Sequence, residues 1–174
     1  MLLRAVAAVT ILAALSVATS AANIPIPRLI GAFPTKLTLT QVTNVSSVRA
    51  GTSTTATWRF SPQCATGACQ TVLARVALLP GTNAAYQYLL KPLGPRRYAG
   101  GMREAVAACI LPSGKQIANA YVVNQTFDLT VTRLGDGGVV AAFRGSGHAT
   151  QTPTAAGKAA GCRPVEIRAA FASS

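Results

Sequence analysis

From Thr35 to the C-terminus, apolar side chains recur at every second position in short runs, and this period of two constrains the fold more than any other feature of the chain. Successive side chains of a β-strand point to opposite faces, so each run buries one face and wets the other. Leu37, Leu39 and Gln41 share one face of Thr35–Thr43, with Thr38 and Thr40 on the other. Ala56, Trp58 and Phe60 alternate with Thr55, Thr57 and Arg59, and Val72, Ala74, Val76 and Leu78 mark a third strand over Gln70–Leu79. Tyr86–Leu90 reads as a short strand. Glu104–Leu111 also reads as a strand, because it is short and bounded by Gly101 and Pro112, although its alanines would suit a helix. Phe127, Leu129 and Val131 give another. The turn signal Gly135–Gly138 then sends the chain back along Val139–Gly145, and Val165, Ile167, Ala169 and Phe171 form a terminal strand. Thr152–Gly161, rich in Ala, Gly and Thr, is expected to be loop. Short strands punctuated by Gly/Pro turns predict an all-β fold, an Ig-like antiparallel β-sandwich of about seven to nine strands.

The N-terminus follows different rules. Arg4 precedes an apolar run, Ala5–Ala18, and small residues follow at Thr19–Ala22, the pattern of a signal peptide cleaved near residue 22. The run is short for a membrane span of ~20 residues, and no later stretch reaches that length. Segment 23–34, with Pro25, Pro27 and Pro34, reads as a lead-in to a single domain over 35–174. Export permits disulfides. Cys64, Cys69, Cys109 and Cys162 form an even set, for which three pairings exist. The favoured one is a Cys64–Cys69 loop clasp, helped by Gly67, with a long-range Cys109–Cys162 staple. Zinc is disfavoured, since no C-x2-C pair and no Cys-His pair with ligand spacing occurs.

Charge narrows the function. The 174-residue chain carries 16 Lys+Arg against 4 Asp+Glu and 1 His, a net charge of +12. His148 is two positions from Ser146, and no G-x-S-x-G elbow accompanies them. Glycoside hydrolysis generally needs two facing carboxylates, and only Glu104, Asp128, Asp136 and Glu166 exist. The expectation is therefore a non-catalytic protein with no cofactor and no metal. A secreted hydrolase using Asp128 and Glu104, or a structural envelope subunit, are the competing readings. Nine cations and no acid lie between Arg28 and Arg103. Lys91, Arg96, Arg97 and Arg103 are the candidate anion-binding residues. A field of that sign attracts polyanions, here an anionic cell-envelope polymer or lipid. Nucleic acid is disfavoured, because no aromatic cluster interleaves with the arginines.

The stretch Trp58-Arg-Phe-Ser-Pro-Gln-Cys64-Ala-Thr-Gly67-Ala-Cys69 resembles the W-x-F-x-P-x-C-x-x-G-x-C segment of secreted actinobacterial β-domains. Some of those are free exported proteins, and others form the outer part of membrane-anchored serine/threonine kinases. The resemblance continues through Tyr98-Ala-Gly100, Cys109, Phe143-Arg-Gly145 and Ala160-Gly-Cys162, so it spans Ser53 to Phe171. It implies a disulfide-stapled extracellular β-domain, a sensor or binding module, with no catalytic residues to carry over; the expected location is secreted or cell-wall associated.

Overall fold

The computed structural model describes residues 26–64, 71–74 and 87–174, with side chains at all of these except 72–74 and 104–106. Among the described residues eight antiparallel strands follow one another: β1 (Gly31–Thr43), β2 (Ser53–Pro62), β3 (Thr71–Ala74), β4 (Gln87–Gly94), β5 (Arg97–Ile110), β6 (Gln116–Leu134), β7 (Val140–Pro153) and β8 (Val165–Ser173). Each pairs with the next, and β8 returns to pair with β1, so the sheet closes into a barrel. The antiparallel all-β expectation holds, but one closed meander replaces the two-sheet Ig-like sandwich. Alternation specifies strands with one wet face; a barrel and a sandwich satisfy it equally, and only strand order separates them.

The alternation is carried into the barrel interior. Phe33, Leu37 and Leu39 of β1, Trp58 and Phe60 of β2, Tyr88 and Leu90 of β4, Phe127, Leu129 and Val131 of β6, and Ile167, Ala169 and Phe171 of β8 are all buried. All five phenylalanines and the single tryptophan of the chain meet there. Phe143 of β7 is central, with ring centroids 5.3 Å from Phe33, 5.4 Å from Phe60 and 6.0 Å from Trp58. Aromatic pairs at such distances stabilise by ~0.5–1.5 kcal/mol beyond the area they bury.

Several local features depart from the simple pattern. A bulge between Leu39 and Gln41 reverses the alternation of β1, leaving Gln41 exposed and packing Val42 against the core. Pro34 lies within β1, where its carbonyl accepts from Ser174. A residue's N–H and C=O point to the same side of a strand, so the donor that proline lacks faces the end of the chain and leaves no ladder bond unmade. β5 passes between β4 and β6 at Gly100-Gly101. A Cβ on Gly100 would overlap the Leu89 carbonyl oxygen, and one on Gly101 the Gln125 carbonyl oxygen. Only glycine permits that close approach, as at a sharply coiled barrel strand.

β5 and β6 outrun their neighbours. The pairing of β4 with β5 ends at Leu89–Gly101, yet β5 and β6 continue together to Ile110–Gln116. The projecting hairpin has its own small core of Cys109, Ala120, Tyr121, Val123 and Cys162. It is covered by α1 (Ala155–Ala159), a helical turn inside the segment expected to be loop. Thr154 caps α1 by accepting from the Gly157 N–H, and its own N–H donates to the Ala120 carbonyl, which ties the helix to β6. The Cys109–Cys162 disulfide forms as expected. Cys69, the second half of the Cys64–Cys69 clasp, and the signal peptide lie outside the described residues. At the other end of the barrel, Leu29 is buried, Arg28 bridges to Val139, and the Tyr98 hydroxyl donates to the Pro27 carbonyl. The lead-in thus contributes to the core instead of running free of it.

Candidate functional site

Aromatic rings cluster in the interior, and many of the charged groups of the described residues lie outside, on the wall formed by β4 to β8 and β1. Register determines which of them meet. Arg97, Thr130, Arg144, Ala172 and Lys36 are consecutive partners across β5, β6, β7, β8 and β1. Neighbouring strands are ~4.8 Å apart. A cation therefore stands on every second strand of this row, roughly 10 Å from the next. The row beside it runs Lys91, Ala99, Asp128, Ser146, Ala170 and Thr38, so short side chains floor a shallow depression of about 360 Å³ beneath Arg144.

Two acids of these strands, Asp128 and Glu166, are committed. Arg97 donates to Asp128 at 2.5 Å. Glu166 accepts from Arg168 at 2.9 Å and pairs with His148 Nε2 at 3.0 Å. The Arg168 hydrogen bond is the main cause holding the Glu166 carboxyl below its ordinary range, with His148 adding to it. Among the described residues no carboxylate lies within ion-pair distance of Lys36, Lys91, Arg103 or Arg144, all of them exposed.

The four candidate cations are only partly brought together. Lys91, Arg97 and Arg103 are exposed on paired strands β4 and β5, with Lys91 opposite Ala99. Arg96 is exposed in the turn between those strands. Arg97 and Arg103 stand six residues apart, roughly 20 Å along the strand. Sequence reasoning missed Arg144, Arg168 and Lys36, because their neighbourhood depends on which strands adjoin. It also treated the acid-free tract as one block, whereas β6 sets Asp128 directly against Arg97.

The residues suggested for hydrolysis stand at separate places along the sheet. Glu104 pairs with Val123, and Asp128 stands five residues further along β6. Their backbones are then roughly 17 Å apart along the strand direction, against a carboxyl spacing of ~5–9.5 Å in glycosidases. Ser146 and His148 are alternate residues of β7, about 7 Å apart along the strand, and His148 Nε2 is directed to Glu166. Among the described residues no group of three His, Cys, Asp or Glu converges as metal ligands would, and no helix is long and apolar enough to cross a membrane.

A second concavity lies at the hairpin end. It is a groove of about 640 Å³ between the tip of β5, the segment after α1 and the Asn44–Ser46 turn that follows β1. Its frame is pinned at three points. The Cys109–Cys162 disulfide forms part of the wall, the Tyr121 hydroxyl donates to the Arg163 carbonyl at 2.9 Å, and Asn44 Nδ2 donates to the Pro164 carbonyl at 2.7 Å. Asn44 takes a left-handed φ of 59°, which asparagine tolerates better than most residues.

In comparisons with known proteins, no family model and no curated protein matches the chain.

Proposed function

We propose that the chain is an exported, non-catalytic β-barrel module that binds an anionic polymer of the cell envelope across its outer wall. One observation carries this reading: the row Arg97, Arg144 and Lys36 presents a cation on every second strand, and among the described residues only Arg97 has a carboxylate partner. Lys91 and Arg103 add exposed cations on β4 and β5, so the set follows the curved outside of the barrel from β4 round to β1. Asp128 and Glu166 are occupied by their own partners, so a polyanion crossing the wall meets cations and hydroxyls with little opposing charge. A polymer with regularly spaced charges suits such a row better than a single small ion, because each contact is weak and solvent-exposed and the sum supplies affinity. The Cys109–Cys162 disulfide favours an oxidising extracellular compartment. Cys64–Cys69 completes the proposed pair of disulfides.

Retention of the purified protein on immobilised polyphosphate and on a teichoic-type polymer tests the reading. Retention should fall steeply with salt, since exposed charges are screened within ~8 Å at physiological ionic strength. The double variant Arg144→Glu/Lys36→Glu should lose about tenfold in affinity. Weak retention that is the same from low to high salt would overturn the proposal.

A further inference from the structure

We infer that the groove at the hairpin end is a binding site for a small amphipathic organic anion, such as an aliphatic carboxylate or an aromatic sulfonate. The site is separate from the cationic wall and does not depend on the polymer reading.

Three features support this assignment. The first is exposed apolar surface. Ile110 is 73% exposed, the largest value among the described exposed large hydrophobics, and it stands on the groove with Leu111, Pro112 and Val45. Exposed isoleucine keeps apolar surface in water, so a ligand that covers it gains hydrophobic free energy. The second is charge. Among the described residues Arg163 is the one charged group of the lining; it is exposed, and no carboxylate pairs with it. An apolar wall beside an unpaired guanidinium complements a ligand with an apolar body and an acidic head. The third is rigidity. The disulfide, the Tyr121–Arg163 hydrogen bond and the Asn44–Pro164 hydrogen bond fix all three sides before any ligand arrives, which lowers the ordering cost of binding. A volume of about 640 Å³ is of the size that holds one small organic molecule.

Fluorescence titration with anilinonaphthalene sulfonate, an apolar aromatic anion, tests the site on the intact disulfide-bonded protein. Saturable binding at one site per chain is expected. Ile110→Glu should abolish it and Arg163→Gln should weaken it about tenfold, with thermal unfolding unchanged in both. Leu93→Glu, at an exposed leucine of β4 outside the groove, should leave binding intact. Uncharged phenylnaphthylamine should bind more weakly and show no dependence on Arg163. Dye binding indifferent to both groove substitutions, or no saturable binding at all, would overturn the assignment. Arg144→Glu serves as the cross-check, since it weakens polymer retention in the preceding proposal and should not alter dye binding.

Discussion

Cys109 and Cys162 are bonded across 53 positions of sequence with their Cα atoms 6.2 Å apart, which fastens the projecting β5–β6 hairpin to the segment following α1. The hairpin has only a small core of its own, so the bond holds it in place where the barrel does not reach. Closing a loop of that length removes unfolded-state entropy equivalent to ~4 kcal/mol in the loop-closure model. Cys109→Ser/Cys162→Ser should lower the unfolding free energy toward that amount and make the hairpin tip the first site of limited proteolysis. Denaturant titration and peptide mapping of the early fragments check both. Mapping of the wild type without reductant should recover Cys109 linked to Cys162 and Cys64 linked to Cys69.

Glu166 is ionised more readily in the folded protein than in the unfolded chain, chiefly because Arg168 donates to it. Above the ordinary glutamate value of 4.5 both states are ionised, and the carboxylate's contribution to stability is fully present. As pH falls below that value the unfolded chain takes up the proton first, and the contribution is lost as pH passes through the folded value. Melting temperature should therefore decline on acidification, and Glu166→Gln should flatten part of that decline. Equal slopes in the two proteins would show that Glu166 is not among the groups responsible.

Phe143 touches Phe33, Trp58, Phe60 and Phe171 at the centre of the barrel. Phe143→Ala should destabilise by ~3–5 kcal/mol, the sum of lost burial and the cavity left among rings that cannot all collapse into it. The more conservative Phe143→Leu should cost clearly less. Chemical denaturation of both variants gives the comparison.

Gly145 lies on β7 where a Cβ would overlap the Asp128 carbonyl oxygen and crowd the Phe171 ring. The obstacle on one side is backbone, so a rotamer change cannot relieve it. Gly145→Ala should cost at least ~1–3 kcal/mol, the scale of overpacking a filled core. Gly114→Ala, in the hairpin turn, has open space around its Cβ but a φ of 82°, and should show only the smaller penalty of a left-handed conformation. Thermal melts of the pair separate steric overlap from backbone strain.

The strands that line the barrel were legible because each announces itself locally. Phe127, Leu129 and Val131, and likewise Ile167, Ala169 and Phe171, are inward exactly where alternation put them inward only because both strands are half-buried. The first half of β6, Gln116–Gln125, was not legible. Ala120 and Tyr121 are consecutive and both buried, and Asn119 has a φ of 50°, so no period of two survives there. The far half of β7 was missed for a related reason: Gly145, Gly147 and Ala149 continue the period of two after Phe143 but carry little hydrophobic signal of their own. The candidate site was less legible still, since His148 and Glu166, 18 positions apart, become neighbours only through the β7–β8 register.

The sequence by itself determined the class of the fold, the inward set of its regular strands, the scarcity of acids and the residues available for the long staple, because each of these is a property of local spacing or of composition. The tertiary structure decided that the sheet closes on itself, that Asp128 and Glu166 are taken up by Arg97 and Arg168, and that Arg97, Arg144 and Lys36 share one row. It also decided that the hairpin tip and the Asn44 turn enclose a groove. Those outcomes depend on which strands adjoin and in what register, and a one-residue shift in register would move every one of these side chains to the other face.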